Sequence, residues 1–198
     1  MLRIPRINNI SGLGAVFINP GFLTKVVKLL YKLALKNTNT VFFQNIDDFT
    51  YFIKAKITKP KQSRVIPGSG INLKNFKSVR LNKPKNLGEL SFLLIARMLW
   101  DKGIAEYVNA AKIVKSEFLN AKFFLLGPLD TNNPAGIPLN QIAQWNEDGH
   151  IDYLGASDQV SDIILLSDCI VLPSYREGVP RSLLEGAAMG RPLIATDV

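Results

Sequence analysis

The chain has 198 residues, of which 47% are hydrophobic and 20% charged, a composition typical of a globular protein with one large or two small domains. Its single cysteine, Cys169, excludes an intramolecular disulfide and a cysteine metal cluster, and it favours a reducing cytoplasm. The uncharged stretch 7–24 holds three asparagines, three glycines and a proline. This stretch therefore fits neither a membrane-spanning helix nor a signal peptide.

The charges divide unevenly along the chain. Residues 1–88 carry 16 lysines and arginines against two aspartates, a net charge of +14, whereas residues 89–198 have a net charge of −6. Such asymmetry suggests two bodies with different partners, the first partner being anionic. Nucleic acid, an anionic membrane or a phosphorylated substrate would each fit, and a merely solvated basic surface is the alternative.

In the first half, apolar runs predict three short strands, and amphipathic stretches between them predict two helices. The strands are 14–18, 40–43 and 63–66, and the helices are 21–36 and 47–56. Residues 74–88 hold four lysines, an arginine and a proline, with few residues of a buried type, which indicates a linker. We therefore expect a domain over residues 1–73, a linker over 74–88 and a second domain over 89–198.

The second half alternates short apolar runs with longer amphipathic stretches, which is typical of βαβ units and a parallel sheet. The predicted strands are 90–96, 122–126, 151–154, 169–172 and 192–195. The predicted helices are 104–118, 140–146, 157–166 (with Ser157 as N-cap) and 179–189. Both ends of the chain look incomplete, since no βαβ unit opens the first half and no helix follows the last strand. We therefore expect a fragment of a larger α/β protein.

The strongest motif is SYREGVPRSLLEGAAMGRP, residues 174–192. Glu177 and Gly178 follow a predicted buried strand, Pro180 suits the first turn of a helix, and Glu185 lies within that helix. Ligands of open α/β sheets bind at this edge, where two carboxylates can accept hydrogen bonds from sugar hydroxyls and a helix N-terminus favours phosphate. The alternative is that Glu177 is a helix N-terminal charge and Glu185 a solvated side chain.

A second motif, RMLWDKG, follows the predicted strand 90–96 at the same edge of the sheet. Arg97 suits bidentate hydrogen bonding to a diphosphate, and Lys102 suits a point charge beside it. Gly103 allows the backbone to enter the next helix closely. Two ordinary surface cations are the alternative.

Together these motifs resemble the retaining glycosyltransferases of family four, which have the GT-B fold of two Rossmann-like domains. That family has a glutamate pair with seven residues between, here Glu177 and Glu185, and an arginine followed five residues later by Lys-Gly, here Arg97 and Lys102-Gly103. Three motifs of the first half, SGLG (11–14), FQNIDD (43–48) and PGSGIN (67–72), are similar to members that build bacterial capsule and O-antigen. The resemblance implies a GT-B-like fold with only part of the N-terminal domain and without the last elements of the C-terminal domain.

The resemblance also implies a role for each site residue. Arg97 and Lys102 would stabilise the departing diphosphate, and Glu185 would hold the ribose of the nucleotide. Glu177 would face the donor sugar, while the backbone of Gly178 and Val179 would approach the sugar or phosphates.

The resemblance further implies no metal ion and no cofactor, and Asp47-Asp48 is not a DxD motif. The only histidine, His150, is interpreted as structural. Gly186 replaces an alanine common in the motif, at a cost of up to about 1 kcal/mol in helix propensity.

The function that the resemblance implies is transfer of a hexose or N-acetylhexosamine from a nucleoside-diphosphate sugar, with a UDP-sugar as the favoured donor, to a polyprenyl-diphosphate-linked saccharide, with retention, in bacterial surface polysaccharide synthesis. The alternative is an inactive remnant that binds nucleotide without turnover. A nucleic-acid partner is not expected, because RNP, KH and helix-turn-helix patterns are absent from the sequence.

The first predicted helix adds a membrane hypothesis. Lys25, Lys28, Lys32 and Lys36 share one helical face, while apolar side chains occupy another. A basic amphipathic helix of this kind can lie on an anionic membrane. Residues 1–73 would then be the acceptor-side domain of a cytoplasmic protein at the inner face of the plasma membrane, and packing on its own sheet is the alternative for this helix.

Overall fold

The computed structural model describes residues 4–13, 15–17, 21–78 and 89–198. The chain forms two compact units. The first contains the residues up to Gly70 together with Arg176–Val179, and the second contains Ile71–Tyr175 with Pro180–Val198. The greater part of the predicted linker, residues 79–88, lies outside the described residues.

The described part of the first unit is a βαβαβ arrangement with a parallel three-stranded sheet in the order β1-β2-β3. Its elements are β1 (Ile7–Ile10), α1 (Phe22–Leu35), β2 (Thr40–Phe43), α2 (Ile46–Lys54) and β3 (Ser63–Val65). Its core is aromatic: the rings of Phe43 and Phe52 lie 5.0 Å apart and contact Val41, Leu35 and Ile57 in one buried cluster.

The start of this unit differs from the sequence-based prediction. Ala15–Phe17 forms a 3-10 turn where we expected a strand over 14–18, and the first strand is Ile7–Ile10. The prediction failed because INNI carries two asparagines, which are depleted in strands. Only Ile10 of this strand is buried. A strand with one buried residue does not need alternating apolar and polar residues, and its sequence lacks the alternation by which a half-buried strand is recognised.

Over its described residues, the second unit is a doubly wound α/β fold with five parallel strands in the order β6-β5-β4-β7-β8. Its strands are β4 (Ser91–Ile95), β5 (Lys122–Leu126), β6 (Asp152–Tyr153), β7 (Cys169–Leu172) and β8 (Leu193–Ala195). Its helices are α3 (Ile104–Glu117), α4 (Leu139–Glu147), α5 (Val160–Leu166) and α6 (Arg181–Ala188). The strand order reverses between β4 and β7, which is the position where such sheets bind ligands.

Successive residues of β4 face opposite sides of this sheet, and each side has its own core. Leu94 packs with Tyr107 of α3 and Trp145 of α4, while Leu93 packs with Ile164 of α5 and Met189, which follows α6. Helices therefore cover both faces, which explains why the strands read as continuous apolar runs.

Two helix starts differ from those predicted. The helix expected from Ser157 begins at Val160, and the Ser157 hydroxyl instead accepts a hydrogen bond from the Gln159 amide. The helix expected from Val179 begins at Arg181, so Pro180 is its N-cap. His150 ends the turn after α4, where its Nε2 lies 3.9 Å from a carboxylate oxygen of Asp148. In the parts of the chain that the structure describes, no helix combines the length and the apolar character that crossing a membrane requires.

Candidate functional site

At Gly103, the segment after β4 contacts the segment after β7. Its φ of 70° is a left-handed conformation that favours glycine, and a Cβ built on it would lie 2.0 Å from the Pro173 carbonyl oxygen. Because β4 and β7 are parallel neighbours, this contact lies at the carboxyl-terminal edge of the sheet, where the strand order reverses. A side chain at position 103 would therefore clash with the backbone that follows β7.

Arg97, which follows β4, is an accessible cation. Its side chain is 59% exposed, and it forms an ion pair of 3.1 Å with Asp130, which follows β5. Asp130 also accepts a hydrogen bond from the Asn133 side chain. An ion pair this exposed contributes little stability, so Arg97 can exchange Asp130 for another anion at small cost.

Lys102 closes a short 3-10 turn, Trp100–Lys102, that is fixed from the β7 side. The Asp101 carbonyl accepts hydrogen bonds from the Tyr175 amide at 2.9 Å and from the Ser174 hydroxyl at 3.1 Å. The Tyr175 hydroxyl in turn donates to Glu106 at 2.5 Å, and this bond to a carboxylate raises the pKa of Tyr175. Hydrogen bonds from the segment that follows β7 therefore fix the backbone turn that carries Lys102.

Glu185 is buried on α6, with only 8% of its surface exposed. Burial raises the pKa of this carboxyl, and Arg181, whose Nη2 lies 3.4 Å from Oε1, partly offsets that effect by lowering the pKa. The alternative that Glu185 is a solvated side chain is therefore wrong. A buried carboxyl in which desolvation dominates is typical of functional sites.

The neighbour of Glu185, Gly186, has a packing role that its helix propensity does not reveal. A Cβ at Gly186 would lie 2.6 Å from Cγ1 of Ile170 on β7 and 3.1 Å from Cδ2 of Leu193 on β8. Glycine thus lets α6 approach the sheet closely at the turn that carries Glu185.

Glu177, Gly178 and Val179 belong to the first unit. A Cβ on Gly178 would lie 2.2 Å from the Ser11 carbonyl oxygen, and one on Gly68 would lie 2.8 Å from Cγ1 of Val179. Glu177 precedes α6 by four residues, so it is not a charge on the first turn of that helix.

Four of the seven predicted site residues lie in the second unit and the other three in the first. Arg97, Lys102, Gly103 and Glu185 are carried by segments that follow β4 and β7. Sequence reasoning missed Asp130, the partner of Arg97, and no motif signals it.

A cavity of about 640 Å³ lies at the opposite, amino-terminal edge of the second sheet. Ser91 of β4, Lys122 of β5 and Asp152 of β6 line it, together with Glu89 and Lys115. None of the predicted site residues lines this cavity.

Comparison with known proteins identifies the family. The family described as "Glycosyl transferases group 1" matches residues 89–198, which is more than half of the chain and contains every predicted site residue. The chain belongs to this glycosyltransferase family. The expected α/β fold with parallel sheets and the expected glycosyltransferase resemblance are confirmed.

Two curated relatives of this chain act on diphospho-undecaprenol-linked sugars according to their names. One is N,N'-diacetylbacillosaminyl-diphospho-undecaprenol alpha-1,3-N-acetylgalactosaminyltransferase of Campylobacter jejuni, 32% identical over 98% of this chain and 53% of the relative. The other is UDP-Gal:alpha-D-GlcNAc-diphosphoundecaprenol alpha-1,3-galactosyltransferase of Escherichia coli, 28% identical over 88% of this chain and 48% of the relative. The chain therefore spans about half the length of these relatives.

A solved structure supports the fold independently. HepE of Anabaena, crystallised in complex with UDP and glucose, matches 99% of this chain and 54% of its own chain with a TM-score of 0.76 at 15% identity. At that identity the match concerns the fold alone.

Proposed function

We propose that the protein transfers a hexose or N-acetylhexosamine from a UDP-sugar to a polyprenyl-diphosphate-linked saccharide, in bacterial surface polysaccharide synthesis. The proposal includes retention of the anomeric configuration and a reaction without a metal ion. Family membership supports glycosyl transfer, and the names of the two relatives support a lipid-linked acceptor.

Arg97 and Lys102 are the proposed catalytic cations. When the bond between the anomeric carbon and the diphosphate breaks, the electron pair stays on the diphosphate oxygen. Preorganised positive charge at that position is the largest catalytic contribution available to this chain. The exposed guanidinium of Arg97 and the fixed turn that carries Lys102 suit this role.

The carboxylates are proposed to recognise the sugars of the donor. Glu185 would accept hydrogen bonds from the ribose hydroxyls, and Glu177 would face the donor sugar as the third catalytic residue. The backbone of Gly103, Gly178 and Val179 would approach the sugar or phosphates, where side chains would obstruct them.

Glu185 is the observation that carries the donor-site proposal. A carboxyl group buried at this position costs stability, since burial disfavours its charged form. An apolar side chain would avoid that cost, so a buried carboxyl on the helix that follows β7 supports recognition of polar groups of a ligand.

Titration calorimetry with UDP tests the donor site. Lys102→Ala should weaken UDP binding about tenfold or more, because a hydrogen bond to a charged group contributes about 1.5–3 kcal/mol. Lys112→Ala removes the same charge from the exposed side of α3 and should leave the affinity unchanged. Equal affinities for the wild type and Lys102→Ala would contradict the assignment.

A turnover assay separates the enzyme from the alternative of a nucleotide-binding remnant. The wild-type chain is given a UDP-sugar and a polyprenyl-diphosphate-linked saccharide, and formation of the extended glycolipid is measured. Binding of UDP together with transfer supports the enzyme, whereas binding without transfer supports the remnant.

We further propose that α1 of the first unit contacts an anionic membrane surface. The predicted apolar face of α1 is exposed: Phe22 is 83% and Leu33 62% accessible. The helix packs on its own core through a different face, formed by Thr24, Val27, Tyr31 and Leu35. Packing on the sheet therefore does not account for the apolar face.

The lysines of α1 complement an anionic surface. Lys25, Lys32 and Lys36 are exposed beside the apolar face, while Lys28 lies over the ring of Tyr51 at 4.8 Å. Cations near a lipid surface contribute about 1 kcal/mol each, in addition to insertion of the apolar side chains. Such a surface would bring the protein to the leaflet that holds a lipid-linked acceptor.

A further inference from the structure

The short segment Arg176–Val179 is held by all three strand ends of the first unit. Ser11 follows β1, Asn45 and Asp48 follow β2, and Gly68 follows β3, so these residues share the carboxyl-terminal edge of that sheet. Each belongs to one of three motifs, SGLG, FQNIDD and PGSGIN, to which the donor site assigns no role. The three motifs therefore share one structural role, which is to contact the segment Arg176–Val179.

Asp48 is the centre of this arrangement. Its side chain is 3% exposed, and its Oδ1 accepts a hydrogen bond of 2.6 Å from Nη2 of Arg176. Its Oδ2 accepts a hydrogen bond of 3.2 Å from the Asn45 side chain, whose own Oδ1 caps α2 by accepting from the Asp48 amide at 2.7 Å. The Asp48 carboxylate thus holds both the Asn45 amide and the Arg176 guanidinium in place.

Asn45 extends the arrangement to the backbone of Glu177. Its Nδ2 lies 3.4 Å from the Glu177 carbonyl oxygen, so one amide group contacts both Asp48 and the segment that carries Glu177. The N-terminus of α2 favours the negative charge of Asp48 and adds to the rigidity of this corner.

Steric contacts restrict the segment on its other sides. Gly178 approaches the Ser11 carbonyl so closely that a methyl group would not fit, and Gly68, at a φ of 70°, approaches Val179 in the same way. These contacts and the hydrogen bonds leave the backbone of residues 176–179 little freedom.

A buried ion pair is an inefficient way to stabilise a fold, because desolvation offsets most of the attraction between the charges. Its directional hydrogen bonds nevertheless define one position for the groups they join. We infer that Asp48 and Asn45 are positioning residues, which place Glu177 by fixing the segment Arg176–Val179. The inference rests on the proposed function, in which Glu177 faces the donor sugar.

The test compares Asp48→Asn with a matched control, Asp47→Asn. Both variants remove one negative charge from the first turn of α2, but Asp47 is exposed whereas Asp48 contacts Arg176. Two quantities are measured for the full chain. The first is amide hydrogen exchange of the peptide that contains residues 176–179, and the second is the affinity for UDP and for a UDP-sugar by calorimetry. UDP-galactose, UDP-N-acetylgalactosamine and UDP-glucose are screened, and the sugar nucleotide that binds most tightly is used.

We expect Asp48→Asn to speed exchange at residues 176–179 while exchange in β2 stays as in the wild type. The ratio of the UDP-sugar affinity to the UDP affinity should fall about tenfold. The reason is that weakening the charged hydrogen bond between Asp48 and Arg176 displaces Glu177. The affinity for UDP alone should not change, because Glu177 is assigned to the sugar. Asp47→Asn should match the wild type in both measurements.

Unchanged exchange at residues 176–179 would overturn the inference, as would faster exchange with an unchanged affinity ratio. An equal loss of UDP and UDP-sugar affinity would also overturn it, because a purely structural role produces that result. A wild-type chain that binds no nucleotide would overturn the proposed function instead, and the exchange measurement alone would then decide whether Asp48 holds the segment.

Discussion

Glu185 shows how a single residue can conflict with the stability of its own fold. Its carboxyl is buried on α6, and this burial raises its pKa. The folded chain therefore binds a proton at Glu185 more tightly than the unfolded chain does. Above the ordinary pKa of a glutamate, the unfolded chain loses this proton more readily, so Glu185 destabilises the fold as pH rises.

Glu185→Gln should consequently raise the melting temperature at neutral pH, because glutamine has no charge to desolvate. The gain should shrink as the pH falls through the raised pKa of Glu185 toward the ordinary pKa of glutamate, and it should vanish below the ordinary pKa, where the carboxyl is protonated in both the folded and the unfolded chain. Thermal unfolding between about pH 4 and pH 8 measures the difference. A gain that is constant across this range would show that the charge of Glu185 is not its cause.

At the residue scale, the sequence allowed the prediction of side chains that belong to a motif but not of their partners. Glu185 and Gly103 were singled out because they belong to motifs, and the structure shows that Glu185 is buried and that Gly103 has a left-handed backbone conformation. Asp130 and Arg176 lie far along the chain from the residues that they contact. Asp48 left one local signal, since an asparagine three residues before an aspartate is a helix-capping pattern.

At the scale of elements, buried strands were the most predictable part of the fold. The predicted bounds of β2, β5 and β7 agree with the structure. A short apolar run between turn residues is stable as a strand that is buried within a sheet, so the ends of the run mark the ends of the strand. The strand β1 was missed because three of its four residues are exposed. Helix starts shifted by two or three residues where loop geometry, not hydrophobic periodicity, determines the cap.

The helix α1 provides a prediction at this scale. The chain should bind vesicles that contain anionic phospholipid, and binding should weaken as the salt concentration rises, because the lysines contribute through electrostatic attraction. The double variant Leu30→Ser/Leu33→Ser should lose most of this binding. Co-sedimentation with anionic and neutral vesicles measures both effects.

The control for this experiment is Leu119→Ser/Leu139→Ser, which removes two exposed leucines from the second unit. It should bind as the wild type does. Equal binding to neutral and anionic vesicles, or no binding to either, would contradict the membrane assignment of α1.

At the scale of the whole molecule, the two halves of the chain differ in charge and in their match to known proteins. The positive charge lies in residues 1–88, which contain α1, whereas residues 89–198 match the glycosyltransferase family and are net negative. Composition and the alternation of strands and helices were sufficient to predict two α/β bodies. They were not sufficient to predict that Arg176–Val179 is grouped with the first unit, because that grouping arises from contacts between residues far apart in sequence.

We propose that the donor nucleotide binds at the carboxyl-terminal edge of the second sheet and not in the cavity at its opposite edge. Amide hydrogen exchange of the wild-type chain with and without UDP tests this claim directly. UDP should slow exchange in peptides containing residues 97–103 and 181–186. Protection of the peptides around Ser91, Lys122 and Asp152 instead, or no protection anywhere at saturating UDP, would contradict it.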